Sequence, residues 1–206
     1  MESLTYFAEA NGPIFLTLFA VLSVTILTLI VWKALRNRNT RTPHDFYERI
    51  QAELERGDFR KVHELAQNSP GDVPQLYVAA VENMHRGKTA TRNALFSLIE
   101  LEMVPRQNFL LPWILFIAKV SPMCGLLGTV WGMILAFGKI AGATKVNPSD
   151  LANDIGMALF TTAEGLVLAM IAILAYTVFK EHAQQSEIDL ELRAEEALSL
   201  LFQRKP

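Results

Sequence analysis

From Pro13 to Trp32 the chain carries no charged residue. From Phe109 to Phe137 it carries only Lys119, and from Ile155 to Phe179 only Glu164. A helix needs about 20 predominantly apolar residues to cross a hydrocarbon layer of about 30 Å. Inside lipid every backbone amide must also be satisfied within the protein, which leaves helices or closed barrels. Three such runs predict an all-α membrane protein with three transmembrane helices. The first run is expected to be an uncleaved span: the residues before it include Glu2 and Glu9 and no Lys or Arg, and a signal peptide begins with a basic segment.

The overall hydrophobic fraction, 51%, averages these runs with strongly charged segments between them. The formal net charge of −2 gives no reason to expect nucleic acid. Cys124 is the single cysteine, so no intrachain disulfide can form. His44, His63, His85 and His182 are scattered among charged residues, away from metal-ligand spacing. No nucleotide-binding loop, nucleophile elbow or metal signature occurs. The expectation is a protein that is not an enzyme, with no catalytic residues, no metal and no cofactor.

The basic residues set the expected sidedness. Lys33, Arg36, Arg38 and Arg41 crowd the exit of the first run, while the N-terminal tail has none. The positive-inside rule then gives a periplasmic N-terminus over 1–12, a first span over 13–33 and a cytoplasmic helical domain over 34–108. The second helix is expected over 109–141, its membrane part between Lys119 and Lys139. At about 1.5 Å per residue those lysines are about one membrane thickness apart, and both are read as snorkelling to the interfaces. The apolar stretch before Lys119 is expected to project as a helical extension bent at Pro112. A periplasmic loop follows over 142–153, a third span over 154–179 and a cytoplasmic amphipathic tail over 180–206. In the cytoplasmic part, Thr42-Pro43 with acidic residues behind it predicts a helix start. Phe46, Ile50 and Leu54 then recur at helical spacing. Gly57-Asp58 and "NSPGD" predict turns, with a short helix between them and helix again from about Pro74.

The second and third runs spend many positions on small residues. Gly128 and Gly132 form a GxxxG pair extended by Ala136, and Gly125 pairs with Thr129. On the third run Ala158 pairs with Thr162, while Thr161, Gly165 and Ala169 form a row. Helices in lipid associate by close van der Waals approach, which small residues permit. A hairpin within one chain would use one face of each helix; small residues on more than one face favour an oligomer. Thr129 is midway between Lys119 and Lys139, and Glu164, Thr161 and Thr162 lie at similar depth. A carboxylate at the bilayer centre costs about 2.5–3.5 kcal/mol or more, so it should be protonated, paired or facing water. A carboxyl whose pKa is raised by desolvation suits a proton carrier. At about 100° per residue Glu164 shares a face with Thr161 and points away from Thr162, so one helix offers polar groups to two sides.

"SPMCGLLGTVWGMILAFGKIAG" followed by "IGMALFTTAEGLVLAMIAILAYTVFK" resembles the MotA/TolQ/ExbB proton-channel family, and within it the ExbB/TolQ branch. The match covers about Leu110 to Lys180, with "GLLGTVWGM" its most specific piece. The resemblance implies a bacterial inner-membrane protein and a pentamer around a central pore. That pore would hold an ExbD/TolR-like single-span partner bearing a membrane aspartate. Proton flow would move the partner and deliver work to a TonB- or TolA-like protein. By position Thr129 and Thr162 match the family's pore threonines. Two departures stand out. The branch usually carries a glutamate where Met157 stands, and Glu164 lies seven residues later on nearly the same face. The usual proline after the small-residue row is Ile171. Glu164 is therefore read as the substitute acid. The alternatives are a Tol-Pal-like or other divergent envelope motor, sodium instead of proton coupling, and a membrane scaffold that conducts nothing.

Overall fold

A computed structural model describes residues 12–38, 42, 44–142 and 147–202. The expected periplasmic segment up to Asn11, Arg41, Pro43 and loop residues 143–146 lie outside the described residues. Those described form eight α-helices, a 3₁₀ turn and a π turn, with no strand among them. The helices are α1 (Gly12–Arg38), α2 (His44–Arg56), α3 (Phe59–Gln67), α4 (Asp72–Asn83), α5 (Lys88–Leu98), α6 (Val104–Asn108), α7 (Leu111–Gly142) and α8 (Pro148–Phe202). Three of these stretches, in α1, in the segment ending with α7, and in α8, are long and apolar enough to cross a membrane. The described residues divide into two compact units, one within 12–31 and 111–178, the other within 32–110 and 179–202.

In the first unit Phe19 and Ile26 of α1, two turns apart, are buried. So are Ile114, Ile117, Ala118 and Ala136 of α7, and Ala158, Leu168, Ala169 and Ala172 of α8. The other faces are apolar and open: Leu126, Val130, Trp131 and Ile134 of α7, and Leu166, Val167, Met170 and Leu174 of α8 are all exposed. A soluble chain does not leave so continuous an apolar surface uncovered; lipid or other protein must cover it.

The second unit has a conventional core. The expected stripe Phe46, Ile50 and Leu54 packs with Val62, Leu76, Tyr77, Leu95, Ile99, Met103, Leu190, Ala194 and Leu198. Gly57, Gly71 and Gly87 each take a positive φ at the turns between these helices, where a Cβ would be strained. Asp58 caps α3 by accepting a hydrogen bond from the Lys61 amide at 3.2 Å. Between α5 and α6 the helix widens to a π turn over Ile99–Met103, where the Val104 amide reaches back to the Ile99 carbonyl. Pro105 follows immediately and brings no N–H to the ladder.

The bend expected at Pro112 coincides with an interruption of the helix, which stops at Asn108 and restarts at Leu111. Pro112 has no N–H to give the Asn108 carbonyl, so the ladder breaks there although Phe109 keeps helical angles. The proline inside α7 is Pro122.

Candidate functional site

The small residues of α7 and α8 face one another in an antiparallel crossing. A methyl built on Gly165 would lie 2.5 Å from the Ser121 carbonyl oxygen and 3.2 Å from the Gly125 Cα. One built on Gly125 would lie 2.8 Å from the Thr161 carbonyl oxygen and 3.0 Å from the Thr162 Cα. At Gly128 it would meet Thr161 Oγ1 at 2.5 Å, and at Gly132 the Ala158 Cβ at 2.6 Å. Real Cβ atoms do not approach so closely, so these four glycines set the distance between the helices. Ala136 and Ala169 are buried in the same unit. The pairing selects Thr161, not Thr162, as the residue that fills the notch over Gly128. Ser121, which the sequence reading did not single out, is fully buried and donates to the Ile117 carbonyl at 2.7 Å. Its signal was its place one turn before Gly125 on the same stripe.

The hydroxyls are held by backbone. Thr161 Oγ1 is 2.7 Å from the Ala158 carbonyl oxygen and 3.2 Å from that of Gly125. Thr162 Oγ1 donates to the same Gly125 carbonyl at 3.1 Å. Thr129 Oγ1 donates to the Leu126 carbonyl at 2.7 Å. A threonine has one proton to give, so each oxygen keeps lone pairs able to accept from water or a hydrated proton.

Helical phase distributes these groups. Relative to buried Thr161, Thr162 turns about 100° one way and Glu164 about 60° the other. On α7, Thr129 turns about 40° beyond Gly125 in the same sense as Thr162 turns from Thr161. The helices run antiparallel, so the same sense of rotation leads to the same edge of the pair. Thr129 and Thr162, both half-buried, therefore sit on one edge of the hairpin. Half-buried Glu164 sits on the opposite edge, and Thr161 lies between, inside the contact. Of the four residues expected on the ion path, helical phase puts Thr129 and Thr162 on the same edge of the hairpin.

At one end of the hairpin Lys139 Nζ pairs with Asp154 Oδ2 at 2.6 Å, with Lys139 largely exposed. The sequence reading took Lys139 as snorkelling to the interface and Asp154 as the start of the third span, without pairing them. Lys119 is also exposed.

A family model described as the MotA/TolQ/ExbB proton channel family matches residues 73–192, which include every residue of this site. The chain is 30% identical over 135 residues to biopolymer transport protein exbB1 of Vibrio cholerae, covering 64% of this chain and 59% of that protein. It is 33% identical over 118 residues to the Tol-Pal system protein TolQ of Haemophilus influenzae, covering 57% and 46%. It is 27% identical over 168 residues to putative biopolymer transport protein ExbB-like 3 of Synechocystis, covering 79% and 77%. The match thus spans about half the length of the first two relatives.

Proposed function

The chain belongs to the MotA/TolQ/ExbB proton channel family, in its ExbB/TolQ branch, and from that premise we propose that it is the ring-forming subunit of an ion-driven motor. The family is one of channel subunits rather than enzymes, and three apolar helices accord with a multi-pass protein of the bacterial inner membrane. In this reading five copies enclose a pore that holds an ExbD/TolR-like single-span partner. The N-terminus is periplasmic, and the charged helical unit and the tail are cytoplasmic. Protons flowing down their gradient move the partner, which acts on a TonB- or TolA-like protein and so energises outer-membrane transport.

The observation that carries this reading is the shared edge of Thr129 and Thr162. Two hydroxyls at mid-membrane depth, fixed by backbone bonds and with free lone pairs, can accept from a chain of water along one side of a rigid hairpin. The close glycine contacts supply the rigidity. Glu164 enters the pathway from the other edge, as the titratable acid that Met157 cannot be.

The test is proton flux and envelope work in cells that carry the chain with its partner. Thr129→Val, Thr162→Val and Glu164→Gln are made one at a time. Loss of flux with the assembly intact supports conduction by these groups; retention in all three variants removes it. A second reading, a scaffold that conducts nothing, is favoured by one observation: Thr162 spends its proton on the Gly125 carbonyl and Thr161 directs its own to the Ala158 and Gly125 carbonyls. A Tol-Pal-like load is separated from a TonB-like one by whether deletion impairs outer-membrane integrity or nutrient uptake. Sodium coupling is separated by the ion on which flux depends.

A further inference from the structure

A second polar site lies wholly within the charged helical unit. Lys33, at the end of α1, is only 7% exposed. It donates to the Gln107 carbonyl, and among the described residues no carboxylate lies within ion-pair distance of it. Lys33 lines a cavity of about 30 Å³ with Arg36, Asp72, Arg106, Gln107 and His182 among its walls. Asp72 is the single acid there. It is already engaged by Gln107 Nε2 at 3.0 Å and faces Arg106 Nη1 at 3.9 Å. Gln107 Nε2 also reaches Ser186 Oγ at 3.0 Å, while Gln107 Oε1 is buried with no donor among the described residues.

Lys33, Arg36 and Arg106 thus meet two carboxylates, Asp72 and the Glu102 that pairs with Arg106 Nη2 at 2.8 Å, and buried Lys33 reaches neither. A buried ammonium without a counter-charge is costly, so the site is built for an anion. The cavity has room for one oxyanion tip and not for a nucleotide. The walls also say where the anion comes from. Lys33 and Arg36 lie at the end of the first apolar run, Phe179 ends the third and His182 follows it. Arg36 lies over the ring of Phe109, 5.8 Å from its centroid, and that ring is exposed. A cationic pocket with an exposed aromatic beside it, at the ends of two spans, has the chemistry of a headgroup site.

We propose that this pocket binds the phosphate of an anionic phospholipid from the leaflet that adjoins the helical unit. The assignment rests on the membrane reading above but not on ion conduction. The phosphate accepts from Lys33, Arg36 and Arg106, and a headgroup hydroxyl can donate to Gln107 Oε1. The bound lipid then ties Lys33 and Arg36, at the end of α1, to Arg106 and Gln107 of α6.

The test uses the full-length chain in nanodiscs of phosphatidylcholine alone, or with phosphatidylglycerol at one lipid in five. Native mass spectrometry counts retained phosphatidylglycerol, and thermal unfolding is followed in parallel. The wild type should retain the anionic lipid and unfold at a higher temperature in its presence. Arg36→Gln and Arg106→Gln should each weaken retention about tenfold, the loss of one charge-assisted contact. Arg36 is half-buried at the pocket's margin, so its variant keeps the test open if Lys33→Met fails to fold. Equal retention by wild type and both arginine variants overturns the proposal. Equal stabilisation by inorganic phosphate in phosphatidylcholine discs overturns the lipid assignment and leaves a free-anion site. If proton flux fails in the wild type while selective retention persists, the motor reading falls and the lipid site stands.

Discussion

Gly165 of α8 passes so close to Ser121 of α7 that a methyl on the glycine would sit 2.5 Å from the serine carbonyl oxygen. The obstacle is backbone, which cannot rotate away as a side chain would. Gly165→Ala should therefore push the helices apart and cost about 1–3 kcal/mol, the usual range for overpacking. Gly156→Ala is the control, because nothing lies within 4 Å of a Cβ there. Thermal unfolding in detergent should separate the two: the first variant drops clearly, and the second is unchanged or slightly raised by better helix propensity. Equal behaviour would show that the crossing is looser than described.

Thr161 and Thr129 should differ in kind. Thr161 is buried and its hydroxyl is held between two carbonyls. Thr161→Val keeps the shape and leaves those groups short of a donor, a loss of about 0.5–1.5 kcal/mol. Thr129 donates only to its own helix, at the half-buried edge. Thr129→Val should leave the unfolding temperature within about a degree, because surface-edge changes rarely exceed about 0.5 kcal/mol. Its effect should appear in ion flux instead. Measuring stability and flux on both variants checks the division.

Burial pushes the Tyr77 phenol up to about 12, with the Glu196 carboxylate adding to the rise. The unfolded chain ionises near the ordinary value of about 10. A group whose pKa is raised on folding contributes stability that is fully present below the unfolded value, here about pH 10. That contribution is lost as pH climbs towards about 12. Two pKa units correspond to about 3 kcal/mol. Chemical denaturation from pH 8 to 11.5 should show this alkaline loss in the wild type, and Tyr77→Phe should flatten it.

The Lys139–Asp154 pair is short but mostly open to solvent on the lysine side. Asp154→Asn should cost no more than about 1 kcal/mol, as exposed pairs do. The loss should shrink further with added salt. A much larger effect, or one indifferent to salt, would mean that the pair is shielded in the assembled protein.

Much of this protein was legible in its residues. Uncharged length alone set the three long helices, because lipid offers no hydrogen bonds and only a full turn-by-turn ladder can cross it. The stripe Phe46, Ile50 and Leu54 announced its buried face by spacing. The glycines announced close contact, and the "GLLGTVWGM" stretch announced the family. The partner of each glycine was not legible. Phase along one helix says which residues share a face, but not which face meets which neighbour. Only the antiparallel crossing decided that Gly128 receives Thr161 while Thr129 and Thr162 share an edge. It also put Glu164, close to them in depth, on the other side. In the same way Lys33 read as one of several surface cations after a span, and the packing of the charged unit buried it. That burial depends on contacts with Gln107 and its neighbours, far away in the chain, which no local pattern encodes.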